Sequence, residues 1–357
     1  MGRLTAIGRN AGPRSAGLER SVGSRLLSPA GGRAIIGGAH HAIFGAGSTV
    51  DGAGLAVGMS SGRSWRRRTW SSLVIGLAVM VPVALAPATA SGAGQPVLPG
   101  VDYLALGDSV AFGYRPPAVT PAADYLDASN FVGYPEDVAA AVPLALTNAS
   151  CPGETTASMI TPGAQSNGCE NSLGSAVGYR TFYPLHVAYS GTQLSYAVEY
   201  LLSHPRARLV TIDIGANDVF LCQATTADHC TGADFAATLQ RITQNLRTIF
   251  TALRQTAHYR HDLLLLTYYS LSYTDPVQVA GTTALNAALT AAADGLGVLV
   301  ADGFSAFQQA SQAAGGDPCA AGLLIALPGG GCNVHPSAQG HQVLASAIEG
   351  VIDTRVR

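Results

Sequence analysis

Ser109 closes the run Tyr103-Leu104-Ala105-Leu106-Gly107-Asp108-Ser109, where a short apolar stretch ends at a glycine turn. Far downstream, His335 sits inside GGGCNVHPSAQGH, residues 329 to 341. A serine hydroxyl is a poor nucleophile until a base removes its proton, and histidine titrates in the range that suits this task. Attack on an acyl carbon also needs donors where negative charge develops on the oxygen. Gly153, in NASCPGETTASM, offers a backbone N–H; Asn217, in IDIGANDVF, offers a side-chain amide; the Ser109 N–H is a third donor. Singly, each motif reads as an ordinary turn or helix entry. Their combination on one edge of a fold is far less ordinary.

That combination requires elements to deliver it. Five short apolar runs read as buried parallel strands: Tyr103 to Leu106, Pro143 to Thr147, Leu209 to Ile214, Leu263 to Thr267 and Val298 to Ala301. Helix-like stretches lie between and after them, at 135–142, 192–203, 233–256, 282–296 and 337–353. Alternating strands and helices imply an α/β fold with a parallel sheet covered on both faces. In such a sheet ligands sit beyond the carboxyl ends of the strands. Ser109, Gly153 and Asn217 each follow a strand there. His335 arrives after the fifth strand by way of a long loop and opens the last helix. Cys151 to Gln193 reads as an aromatic loop roofing the site. Phe112, Tyr114, Phe182, Tyr183 and Tyr189 are candidates to line an acyl pocket.

YLALGDSVAFGY, NASCPGETTASM, IDIGANDVF and NVHPSAQGH, in this order, resemble the four conserved blocks of the SGNH/GDSL hydrolases. The likeness covers roughly residues 101 to 350, and the secreted actinobacterial esterases and lipases are the most similar branch. The resemblance implies a three-layer αβα flavodoxin-like fold with a five-stranded parallel sheet, and ester hydrolysis with no cofactor and no metal. It implies Ser109 as nucleophile, His335 as general base, and an oxyanion hole of Ser109 N–H, Gly153 and Asn217. His341 falls on the downstream helix, in a packing or capping place. One feature departs from the pattern. The family often carries an aspartate two or three residues before the histidine; here Asn333 and Cys332 stand there. A backbone carbonyl near Cys332 and Asn333 is the first expectation for the group that orients His335. The Asn333 side chain is second, and a remote acid, Asp302 or Asp317, third. Asp108 is expected to bond its own turn, and Asp218 to prop Asn217 or a nearby backbone N–H.

Composition sets the compartment and excludes one partner class. All 20 cationic residues are arginine, and ten of them lie in residues 1 to 90 against only Glu19 and Asp51. Residues 91 to 357 carry a net charge of −10, which argues against a nucleic-acid partner. Arg66 to Arg68, the apolar run Leu73 to Ala86 and Ala88-Thr89-Ala90 form a signal-peptide pattern. We therefore expect a start-site artefact or disordered extension at 1–58, a signal peptide at 59–90 starting from Met59, and one hydrolase domain at 91–357. The expected product is secreted, with no stable membrane span. Its six cysteines then form a disulfide framework, and neighbour pairing gives Cys151–Cys169, Cys222–Cys230 and Cys319–Cys332. The expected substrate is a small-molecule or lipid ester. Rival expectations are a carbohydrate O-deacetylase and a catalytically weak envelope binding protein.

Overall fold

In the computed structural model, residues 100–119 and 122–352 are described, all within the unit His40–Arg357. The extension at 1–58 and the signal peptide at 59–90 lie outside the described residues. Apolar runs bounded by Gly, Asp and Asn make the central strands: β1 (Asp102–Gly107), β2 (Ala145–Asn148), β3 (Leu209–Asp213), β4 (Asp262–Leu266) and β5 (Leu299–Ala301). They form one parallel sheet in the order β2-β1-β3-β4-β5. This is the flavodoxin-like order, with the reversal beside β1. Every residue of β3 and β4 is buried. A strand buried on both faces reads as a continuous apolar run, which is why these segments were visible as strands.

The helices are α1 (Ser109–Phe112), α2 (Tyr134–Ala141), α3 (Tyr179–Phe182), α4 (Gln193–Ser203) and α5 (Ala216–Thr225). They continue with α6 (Gly232–Thr251), α7 (Pro276–Ala293), α8 (Gly303–Ser311) and α9 (Ala338–Glu349). α2, α8 and α9 pack together, as do α5, α6 and α7, so the sheet is sandwiched as expected. Side-chain caps start several of them. Thr192 accepts the Ser195 N–H, Asp302 the Ser305 N–H, and Ser337 the Gly340 N–H. At α7, Asp275 accepts the Val277 N–H ahead of Pro276 in the first turn, so the helix begins six residues before the expected Thr282.

Two further features differ from expectation. The segment before α9 is not only loop: β6 (Leu324–Ala326) and β7 (Cys332–Pro336) pair antiparallel in a separate two-stranded ribbon. His335 is therefore a strand residue, and α9 begins at Ala338 behind the Ser337 cap. The long helix expected to Thr256 changes character at Ala252 and finishes as a π-helical turn, Ala252–Thr256. The neighbour pairing of cysteines is the one present: Cys151–Cys169, Cys222–Cys230 and Cys319–Cys332.

Candidate active site

The register of the sheet aligns Gly107 of β1 with Asp213 of β3. The chain turns sharply at Gly107, φ 137°, and a Cβ there would collide with the Asp213 carbonyl and come within 2.7 Å of its Oδ1. Only glycine fits. Gln193, at the start of α4, grips the same residue from both sides. It accepts the Gly107 N–H at 2.6 Å and donates to the Gly107 carbonyl at 3.0 Å. Asp108 then caps α1, its Oδ1 accepting the Val110 N–H at 2.9 Å as expected. Ser109 becomes the first residue of a short helix beyond the strand's carboxyl end.

His335 meets it from the ribbon. Its Nε2 lies 2.8 Å from Ser109 Oγ. On the other side of the ring, Nδ1 lies 2.5 Å from Asn333 Oδ1. That same oxygen accepts the His335 backbone N–H at 3.1 Å, which fixes which end of the amide faces the ring. An amide oxygen can only accept, so Nδ1 carries the proton and Nε2 is left to receive one from serine. Of the three orienting groups considered, the side chain of Asn333 holds the place, not the backbone carbonyl ranked first. The carboxylates of Asp302 and Asp317 are engaged elsewhere. Asp302 caps α8, and Asp317 accepts the N–H groups of Cys319 and Ala320 at 2.8 and 3.1 Å. β7 itself is pinned twice more: Cys332 is bonded to Cys319, and the Val334 carbonyl accepts the Tyr269 hydroxyl at 2.6 Å.

The two other expected donors, Gly153 and Asn217, follow β2 and β3. Gly153 has φ 83°, and a Cβ there would stand 2.6 Å from the Asn167 carbonyl oxygen. The backbone N–H groups of Ser109 and Gly153 have no protein acceptor among the described residues. Asn217 is buried, with Oδ1 accepting from Asn167 at 2.9 Å and Nδ2 donating to Asp108 Oδ2 at 3.2 Å. One amide hydrogen is thereby used for orientation and the other remains. Asp218 fills the second of its expected roles and holds a backbone N–H. Its carboxylate takes the Thr156 N–H at 2.9 Å and the Thr156 hydroxyl at 2.5 Å, tying α5 to the loop that carries Gly153. Burial pushes its carboxyl up to about 6.

Beside His335 lies an aromatic cluster. The Tyr114 ring is 5.1 Å from the imidazole, and Phe112, Tyr125, Phe131, Tyr179 and Tyr183 continue the packing behind it. Phe182 extends from Tyr183 and is 48% exposed. Tyr189 is not part of this group; it stacks on Tyr196 under the Arg180 guanidinium. His341 is buried in α9, and burial pushes it down to about 3. It packs in the core, away from the serine. His186, His204 and His261 engage Phe112, Tyr200 and Arg208 respectively. The one convergent set of metal-type ligands among the described residues is Cys151, Glu154 and Cys169, and its two sulfurs are bonded to each other.

Four residues around this site have no role in the sequence reading: Gln193, Glu154, Asp213, and Tyr268, whose hydroxyl donates to Asp108 Oδ2 at 2.6 Å. Glu154 is buried, accepts the Ser158 hydroxyl and the Gln193 amide at 3.2 Å, and is pushed up to about 7 by desolvation. A signal existed for Asp213, an acid inside an otherwise apolar strand run. Nothing in the local sequence marks Tyr268 or Gln193.

A sheet of this order, with Ser109 and His335 meeting beyond its carboxyl edge, defines a three-layer α/β architecture. The chain belongs to the GDSL-like lipase/acylhydrolase family, whose pattern matches residues 105–343. The family makes it a hydrolase. Among solved structures it is similar to the lipase Lip_vut3 from a goat rumen metagenome, at 13% identity over 72% of this chain and 100% of that one, TM-score 0.46. It is similar also to Axe2, an acetylxylan esterase from Geobacillus stearothermophilus, at 18% identity over 74% and 100%, TM-score 0.45. A third, LAE5 from the metagenome of Lake Arreo, has 17% identity over 72% and 97%, TM-score 0.44. No curated protein sequence matches the chain. Among the described residues, no helix is long and apolar enough to cross a membrane.

Proposed function

We propose that this protein is an exported serine ester hydrolase acting on esters with an apolar acyl group. The observation that carries the reading is the 2.8 Å approach of Ser109 Oγ to His335 Nε2, with Nδ1 held on the far side by Asn333. Ser109 attacks the ester carbonyl while His335 takes its proton. The resulting oxyanion accepts hydrogen bonds from the N–H groups of Ser109 and Gly153 and from the Asn217 amide. His335 returns the proton to the departing alcohol. Water then attacks the acyl carbon as His335 takes its proton, and His335 passes that proton to Ser109 Oγ as the acid departs. Asn333 fixes the ring's tautomer without adding a charge, so the imidazolium formed midway is stabilised less than beside a carboxylate.

The aromatic cluster next to His335 supports an apolar acyl group, and three disulfides support an oxidising compartment. The test is turnover of p-nitrophenyl esters of increasing chain length, with acetylated xylan in parallel. Activity that rises beyond acetate is expected. A preference for acetylated xylan would instead make the protein a carbohydrate deacetylase. Ser109→Ala is expected to abolish turnover and labelling by a fluorophosphonate; retained activity in that variant would overturn the assignment.

A further inference from the structure

A side chain from α4 takes the place of a strand beside the nucleophile's turn. β2 ends at Asn148, opposite Ala105 of β1. Gly107 lies two residues beyond that pair. Its carbonyl still accepts the Cys151 N–H at 3.1 Å, but its own N–H has run past the last residue of β2. Gln193 Oε1 accepts that N–H at 2.6 Å, and Gln193 Nε2 donates to the Gly107 carbonyl at 3.0 Å. A residue that offers one donor and one acceptor fixes which end of the amide faces which.

The amide reaches a second segment with its other hydrogen. Gln193 Nε2 donates to Glu154 Oε2 at 3.2 Å, and Glu154 Oε1 accepts the Ser158 hydroxyl. Gln193 is 0% exposed and Glu154 1%, so bulk water cannot stand in for either partner. Removing the amide strands a peptide N–H and a carboxyl oxygen in the interior. Gln193 is itself held in place. Thr192 caps α4 through the Ser195 N–H, and the Leu194 N–H donates to the Met159 carbonyl at 3.1 Å. The two segments it joins carry the backbone donors assigned to the oxyanion. Gly107 stands two residues before Ser109, and Glu154 directly follows Gly153. Donors on two separate loops keep a fixed relation only when the loops are tied together. The Cys151–Gly107 bond is a single tie about which the loops can swing; the amide adds two more from a fixed helix start.

We propose that Gln193 is a positioning residue for ester hydrolysis, holding the Gly107–Ser109 turn and the Gly153–Glu154 loop in fixed relation so that their backbone N–H groups serve one oxyanion. The role rests on the function proposed above. Gln193→Met keeps the size of the side chain and removes all three hydrogen bonds. Glu154→Leu takes away the acceptor of one amide hydrogen, and Glu154→Gln restores an accepting oxygen there.

The test is steady-state kinetics on p-nitrophenyl esters, with the rate of fluorophosphonate labelling alongside. Q193M is expected to lower kcat about tenfold to a hundredfold with KM little changed, and to slow labelling with it. E154L is expected to lower kcat severalfold, and E154Q to recover most of that loss. Because Glu154 acts through Gln193, E154L should cost nothing further in the Q193M background. A Q193M with wild-type kcat, or a loss confined to KM, would overturn the positioning role and leave the hydrolase standing. Additive losses in the double variant would overturn the link from Glu154 through Gln193. A wild-type protein that neither labels nor turns over ester would overturn the function and this role together. If Q193M does not fold, Gln193→Glu takes its place, since it keeps the acceptor for the Gly107 N–H, and the same loss of kcat is expected. Failure of both variants to fold would make Gln193 a residue of the fold alone and overturn the proposal.

Discussion

At the residue scale, a neutral side chain stands against His335 Nδ1 where a carboxylate stands in many triads. Asn333 accepts two hydrogens from one residue, the Nδ1–H and the backbone N–H of His335. Asn333→Ala removes both, and kcat for ester hydrolysis is expected to fall about tenfold to a hundredfold with KM little altered. Asn333→Asp keeps the geometry and adds charge. A carboxylate beside the ring favours imidazolium, so the acidic limb of the kcat/KM profile is expected to move to higher pH. The pH–rate profiles of the two variants and the wild type check both statements. Ser109, Gly153, Asn217 and His335 were singled out by the four motif blocks in their order, and the structure brings Ser109 and His335 together. Asn333 was only one of several candidates. Which acceptor reaches Nδ1 depends on the path of five residues of β7, and residue types alone do not determine that path.

The elements carry the same lesson with different physics. β3 and β4 were visible because burial on both faces leaves an apolar run and little else. β6 and β7 were not: three and five residues long, they share no alternation, and the Gly329-Gly330-Gly331 run between them reads as loop. The π-helical turn at Ala252–Thr256 was equally hidden, since an apolar helix face continues through it. There Arg254 binds the carbonyls of Tyr259 and His261 at 3.1 and 2.8 Å, a tertiary preference that local sequence does not encode. The start of α7 could have been read from Asp275-Pro276, a cap followed by a first-turn proline. Two predictions belong to this scale. Gly107→Ala forces a side chain against the Asp213 carbonyl at positive φ, and urea unfolding should show a loss of about 3 kcal/mol or more. Replacing Cys319 and Cys332 together by serine removes a bridge of the kind that contributes ~2–4 kcal/mol. It also frees one anchor of β7, so kcat should fall in protein whose circular dichroism is unchanged.

For the whole molecule, the acidic interior makes stability a function of pH. Glu154 is fully buried and pushed up to about 7, so the folded state holds its proton where the unfolded chain has released it. Stability should therefore decline as pH rises from roughly the ordinary glutamate range to about 7, by at most about 3.5 kcal/mol from this group. Glu154→Gln should flatten that decline in urea titrations, because the amide can keep the Ser158 and Gln193 neighbourhood without a titrating proton. The three-layer order was readable at this scale because every strand was followed by a helix, whereas the acids that tune it are set by contacts between distant segments. The bridges are the exception to that distance. They span 18, 8 and 13 residues, and none encloses another. A chain threaded N-terminus first through a narrow channel can thus seal each loop as it emerges, with no cysteine waiting for a partner far behind it. The sequence of closure also sets a sequence of arming: the serine and the amide donors come out early, and the stapled arm bearing the base comes out last. On the proposed function and export, the emerging chain holds a nucleophile with nothing to take its proton until the Cys319–Cys332 stretch clears the channel.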